Sequence, residues 1–214
     1  MPVSVIYYLG VLPGLLKKFD ANILSRLKAI LISQPMTTHV TKDGREFVVR
    51  RPTENDADNI INYSRTLFAS TDQLLTSLEE YSITIENEKG WINSFNENPN
   101  AKILMAEWNN QIIGLLFFIA NPKKKNSHTG EFGVSVHPEF QGNNVGRILV
   151  EALLKWAREN SRIEKVYLNV FDTNQPAINL YKDLGFTVEG RHVKAVKQLN
   201  GEYVDVLQMY IETK

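Results

Sequence analysis

The sequence predicts a mixed α/β domain. Three observations predict it. Short β-type runs alternate with segments of helical period along most of the chain. A run at residues 131–136 leads through a Gly/Asn turn into a helix. A second run, at 166–170, leads into a helix opened by Asn and Pro and stopped by Gly.

Each element follows from its residues. Val3 to Leu16 is mostly apolar but too short to span a bilayer. No basic residue precedes it and no small-residue cleavage site follows, so it is not read as a signal peptide. From Leu12, the apolar positions Leu15, Leu16, Phe19, Ile23, Leu24, Leu27, Ile30 and Leu31 recur at helical spacing among Lys17, Lys18, Arg26 and Lys28. This predicts an amphipathic helical extension over residues 1–38, with a hinge at Gln34-Pro35-Met36-Thr-Thr. A helix packed on the body or in a dimer contact is preferred to a membrane-surface helix. No firm membrane association is expected, and a homodimer is left open.

Glu46-Phe-Val-Val-Arg50 is a strand, and Thr53 with Asp56 forms a capping-box start for a helix through Ile60, Ile61 and Leu67. A second helical region is expected over residues 73–98, ended by Asn98-Pro99. Strands at 102–108 and 111–119 flank Asn109-Asn110, a hairpin turn pair. The apolar run 115–119 predicts a strand covered on both faces. Residues 121–127, with Lys123-Lys124-Lys125, are an exposed loop. The last two strands, 187–195 and 202–211, turn at Leu199-Asn200-Gly201.

Composition excludes several function classes. Lys plus Arg equals Asp plus Glu at 24 each in 214 residues, so no global field draws in nucleic acid. The chain has no Cys, which removes disulfides, thiolate-ligated zinc and an acyl-cysteine route. His39, His128, His137 and His192 lack ligand spacing, so no metal is expected.

The 131–158 stretch carries the chemistry. Phe132, Val134 and Val136 alternate with Gly133 and Ser135, and Pro138 stops the strand. In Gln141-Gly-Asn-Asn-Val-Gly146 the glycines allow positive φ or close approach, and Asn tolerates the left-handed region. Ile148, Leu149, Leu153 and Trp156 then repeat at helical spacing. A strand, such a turn and a helix start leave a concave row of N–H groups that suits an anion. A tight connection with no ligand is the other open reading. No Gly-Lys-Ser/Thr follows, and the glycines do not fit G-x-G-x-x-G, which excludes two phosphate motifs.

After Val136-His-Pro138, the run Gln141-Gly-Asn-Asn144-Val-Gly146 resembles the acyl-CoA signature of the GNAT superfamily of N-acetyltransferases, Arg/Gln-x-x-Gly-x-Gly/Ala. It departs at Asn144, where the family usually has Gly. Asn174, Ala177, Tyr181, Gly185 and Phe186 match the family's second segment at every named position. Glu189-Gly-Arg191 and Gly201-Glu-Tyr203-Val-Asp205 are similar to small-molecule and N-terminal-amine members. The resemblance runs from about residue 46 to the C-terminus.

That resemblance implies a GNAT domain over residues 39–214: an α+β fold with a mixed, mostly antiparallel sheet of six to seven strands, splayed at its centre and flanked by helices. It implies acetyl-CoA as co-substrate, with no metal. The pantetheine arm would pair with main-chain groups at Val134 and Val136. The pyrophosphate would rest on the N–H groups of Gln141, Gly142, Asn143, Asn144, Val145, Gly146 and Arg147. Arg147 either adds a charge-assisted contact or is a solvated helix residue. Asn174 bonds the pantetheine, caps its helix, or does both. Tyr181 is the general acid or a packed core Tyr. Glu131 is the general base or a solvated strand-edge carboxylate, with His137 ranked below it. With no Cys and no Ser elbow, direct attack in a ternary complex is expected over an acyl-enzyme. The expected function is acetyl transfer to a primary amine of a small molecule or amino acid, in the cytoplasm. The rivals are a protein N-terminal or lysine acetyltransferase and a non-catalytic acyl-CoA-binding module. Loops at 68–84 and 196–202 would set the acceptor.

Overall fold

A computed structural model describes residues 36–214. The helical extension lies outside the described residues except at its end. There Thr37 and Thr38, read above as hinge, pair with Val49 and Val48. They open β1 (Thr37–Val40), which lies antiparallel to β2 (Glu46–Arg50). Three of its four residues are β-branched, which suits a pleated edge.

The remaining elements are α1 (Ala57–Ser70), α2 (Ile85–Glu97), β3 (Ala101–Trp108), β4 (Gln111–Ala120) and β5 (Thr129–Val136). Then come α3 (Val145–Glu159), β6 (Lys165–Phe171), α4 (Gln175–Asp183), β7 (Thr187–Lys197) and β8 (Tyr203–Glu212). The strands form one eight-stranded sheet in the order β1-β2-β3-β4-β5-β6-β8-β7, one strand more than expected because β1 joins its edge. Every pairing is antiparallel except β5 with β6.

Each face of the sheet buries its own core. Ile60, Tyr63 and Leu67 of α1 and Ile92 and Phe95 of α2 pack on Ile103, Met105, Ile112 and Leu115. On the opposite face Leu149 and Leu153 of α3 and Ile178 and Tyr181 of α4 pack on Leu116, Phe118, Phe132, Val166 and Leu168. Strand β4 is therefore covered on both sides, as its continuous apolar run predicts.

The parallel pairing of β5 and β6 is short. It joins Thr129, Gly130 and Glu131 to Lys165, Val166 and Tyr167, then stops. Beyond it β5 stays paired to β4 as far as Val136↔Gly114. Strand β6 stays paired to β8 as far as Phe171↔Val206. Each strand is held by its outer neighbour, so the two diverge and a fork opens past Glu131.

The region 73–98 departs from expectation: only Ile85–Glu97 is helical. Upstream, polar side chains take backbone groups that a helix would need. Thr71 Oγ1 accepts from the Gln73 N–H at 3.1 Å, and a Glu80 carboxylate oxygen accepts from the Ser77 N–H at 2.9 Å. Thr84 then caps α2 by accepting from the Asn87 N–H at 3.2 Å.

Candidate active site

The turn between β5 and α3 is built by residues that accept unusual backbone angles. Gly142 has φ +75° and Asn144 has φ +67°. Asn144 thus takes the left-handed position that the family fills with Gly, and it does so as the N-cap of α3. The Asn144 carbonyl accepts the Ile148 N–H at 3.0 Å. No backbone acceptor among the described residues reaches the N–H groups of Val145, Gly146 and Arg147. They form the positive end of a 15-residue helix. A Cβ on Gly142 would meet nothing within 4 Å, so the turn is open on that side. A Cβ on Gly146 would lie 3.4 Å from Val136 Cγ2, so the turn packs closely on the end of β5. This concave row of free donors fits a diphosphate.

Strand β5 presents main chain to the fork. The His137 N–H donates to the Ile113 carbonyl on β4 at 2.9 Å. By the period of two, Ser135 and Gly133 also address β4, while Val136 and Val134 direct their N–H and C=O groups into the gap. The Gln141 side-chain amide donates to the Val136 carbonyl at 3.3 Å, as that orientation requires. Val134 and Val136 therefore turn main-chain groups toward the fork.

Glu131 stands at the apex, in the last paired position, opposite Tyr167. Its neighbour in alternation, Gly133, is packed by the Phe117 ring, which belongs to the α1/α2 side. Glu131 shares that face. Burial raises its carboxyl above the ordinary range, opposed by a hydrogen bond from the Asn169 amide at 2.9 Å.

Tyr181 lies on the other face. Its ring packs edge-on against Phe132, 5.9 Å between centroids, and tilted against Phe186 at 5.8 Å. No described residue hydrogen-bonds its hydroxyl, and burial pushes that group well above its ordinary pKa. It is held at the end of α4 by a Schellman closure. The Phe186 N–H donates to the Tyr181 carbonyl at 2.9 Å and the Gly185 N–H to Lys182 at 3.0 Å, with Gly185 at φ +92°. At the other end of α4, Asn174 accepts from the Ala177 N–H at 3.3 Å, so its cap role is real. Arg147 is engaged by Asp183 at 2.9 Å.

The two loops expected to shape the acceptor side are brought near one strand end. Thr173, just after β6, donates to Gln73 at 3.1 Å, and Gln198 of the β7–β8 turn donates to the Asp72 carbonyl at 3.1 Å. Sequence reasoning missed Asn169, whose partner is 38 residues away. It also missed Tyr63, whose hydroxyl shares a 2.9 Å hydrogen bond with Ser135 of β5. A polar residue between Leu168 and Val170 was the available signal for the first. His137 lines a separate cavity of about 300 Å³ with Asn59, Asn62, Thr66 and Gln111. None of Glu131, Tyr181 or the turn lines that cavity.

Comparison with known proteins gives the class first. The Acetyltransferase (GNAT) family pattern matches residues 69–186, more than half of the chain. The chain belongs to that family and is an acetyl-CoA-dependent N-acetyltransferase. Among particular relatives, it is 27% identical to the L-amino acid N-acetyltransferase AaaT of Escherichia coli over 77% of this chain and 96% of that one. It is 30% identical to the spermidine N(1)-acetyltransferase of Vibrio cholerae, over 62% of this chain and 75% of that one. Its fold matches yncA of Salmonella typhimurium, solved with its cofactor acetyl-CoA, with a TM-score of 0.70 at 21% identity, covering 78% of this chain and 94% of that one.

Proposed function

We propose that this enzyme moves the acetyl group of acetyl-CoA directly to a primary amine of a small molecule or amino acid, both substrates being bound together. One observation carries the reading. Glu131 and Tyr181 lie on opposite faces of the sheet, and the pairing of β5 with β6 stops at Glu131, where the fork opens. Groups on two faces can then serve one bond.

The free N–H groups of Val145, Gly146 and Arg147 hold the diphosphate, with Gln141, Gly142, Asn143 and Asn144 shaping the turn. The main chain of Val134 and Val136 lines up the pantetheine arm, and a Val136 N–H polarises the thioester oxygen, most strongly as charge builds there. Asn174 keeps its amide N–H groups for the same arm while its oxygen caps α4. Acetyl-CoA supplies the activated carbonyl. Glu131 takes the proton from the acceptor ammonium, directly or through water. The amine nitrogen then bonds the carbonyl carbon, the carbon–sulfur bond breaks, Tyr181 gives its proton to the sulfur, and the second proton shed by the nitrogen returns to the phenolate, directly or through water. Burial raises both groups: it makes the carboxylate a stronger base and holds the phenol protonated, so proton donation must be coupled to charge building on the departing sulfur.

The relatives named above act on amino acids and a polyamine, which supports a small amine acceptor. The test is release of CoA thiol across a panel of amino acids, polyamines and peptides with free N-termini. Turnover with a small amine is expected. Turnover confined to peptides would overturn the acceptor class, and cofactor binding without any turnover would overturn the catalytic reading.

A further inference from the structure

Among the described residues, Glu131 is one of two carboxylates on the α1/α2 side whose burial raises the pKa, the other being Glu88. Its single side-chain partner among the described residues is Asn169. The placement of that partner is specific. Tyr167 pairs with Glu131, and Asn169 lies two residues further along β6, hence on the same face and just past the last paired position. Its amide spans the fork at the apex. No other side-chain hydrogen bond among the described residues joins β5 to β6.

Asn is a poor strand residue, and here it sits inside Lys165–Phe171 between Leu168 and Val170. Across β8 it faces Gln208. Neither packing nor propensity calls for an amide at this point. A carboxylate does, because its two oxygens accept several hydrogen bonds and an amide N–H strengthens the ionised form.

We infer that Asn169 is a positioning residue: its amide fixes one oxygen of Glu131 at the fork and leaves the second to take the acceptor's proton. The inference rests on Glu131 being the base. An amide suits the task because it does not titrate. The other groups around Glu131 are few. From β6 come the Tyr167 hydroxyl, which accepts from Asn121 at 3.4 Å, and Lys165, which is paired with Glu189 and lies over the Tyr210 ring. From β8 comes Tyr210 itself, opposite Tyr167. From the β4 side the facing residue is Ile119, and from the helical layer the Tyr63 hydroxyl reaches β5 at Ser135.

The test uses the full chain and the variants Asn169→Ala, Asn169→Asp and Glu131→Gln. Asn169 is exposed, so the Ala variant should melt like the parent. The readouts are the pH profile of kcat/KM and the titration of the Glu131 carboxyl carbon by NMR. Loss of the amide should move the acid limb and the carboxyl midpoint together to higher pH, by about half to one unit. Asn169→Asp places a second negative charge in reach and should move both further. KM for acetyl-CoA should stay within about threefold, since the amide is assigned no contact with it. If Glu131→Gln is slow but Asn169→Ala leaves limb and midpoint in place, the role of Asn169 is refuted and the base stands. If Glu131→Gln turns over like the parent, the base itself is refuted, and this inference falls with it.

Discussion

Replacing Tyr181 by Phe separates the chemical role of this residue from its packing role. The substitution deletes one oxygen and keeps the ring that packs on Phe132 and Phe186. Tyr181 is 7% exposed, and its hydroxyl has no hydrogen-bond partner among the described residues. The hydroxyl keeps some contact with solvent and adds no hydrogen bond to a described residue, so it contributes little to stability. Removing it should leave stability within about 1 kcal/mol of the parent, a shift of no more than roughly 2–4 °C in Tm. The rate should move much further. Loss of a general acid costs about 10²–10⁴-fold, or roughly 2.7–5.5 kcal/mol of barrier. Thiol release at saturating acetyl-CoA and saturating amine reads kcat, and calorimetry with acetyl-CoA reads binding. The expected variant is folded, about as stable as the parent, normal in cofactor affinity and at least about 100-fold slower. A kcat within about threefold of the parent would show that the phenol only fills the core, and the assignment would fail.

Three further substitutions probe the framework. Gly146→Val should weaken acetyl-CoA by about 10–100-fold, because one methyl fits between Val136 and Leu180 at 3.4 and 3.6 Å but a branched side chain must reach into the turn. Gly146→Ala should bind nearly normally, and normal binding by the Val variant in calorimetry would place the diphosphate elsewhere. Gly130→Ala should destabilise by about 1–3 kcal/mol in urea, since its methyl would overlap the Phe118 ring and lie 2.6 Å from the Ile119 carbonyl oxygen; an unchanged midpoint would refute the packing at the apex. Glu88 is buried in the first turn of α2, and burial raises its carboxyl to about 7. An unfolded Glu loses its proton near pH ~4.3, so between that value and about 7 the folded chain holds a proton that the unfolded chain has lost, and stability falls as pH rises. Glu88→Gln should remove that fall and be more stable at pH 8 by about 1–2 kcal/mol, allowing for solvent screening at its open edge; parallel stability curves for variant and parent would refute it.

What could be read from the chain was local chemistry. Asn109-Asn110 turns at φ +47° and +63°, as two residues tolerant of the left-handed region should. Gly185 closes α4, and Asn174 caps it. The alternation of β5 assigns Phe132 to one face and Glu131 to the other. The failures are non-local or involve competition for backbone groups. The helix predicted from residue 73 was lost to Thr71 and Glu80, whose side chains tie up the backbone in turns. β1 escaped notice because an edge strand needs its partner to declare it. Asn169 looked like an ordinary strand residue because its value depends on a carboxylate 38 positions away.

The fork itself belongs to this second class. Nothing within β5 or β6 forbids pairing past Glu131, since both strands continue and both have main-chain groups to offer. Separation follows from what holds them on the outside, β4 up to Val136 and β8 down to Phe171. The first residue past the last pair is Phe132, whose ring is engaged by Tyr181 and Phe186. The same contact that seats the phenol therefore lies where the sheet opens. In a fully laddered sheet, a carboxylate on one face and a phenol on the other would be divided by main chain. Here the missing rungs leave main-chain donors of β5 free along the fork. The proposed binding edge and the proposed proton route thus share one origin, a break in pairing maintained by the ladders on either side of it.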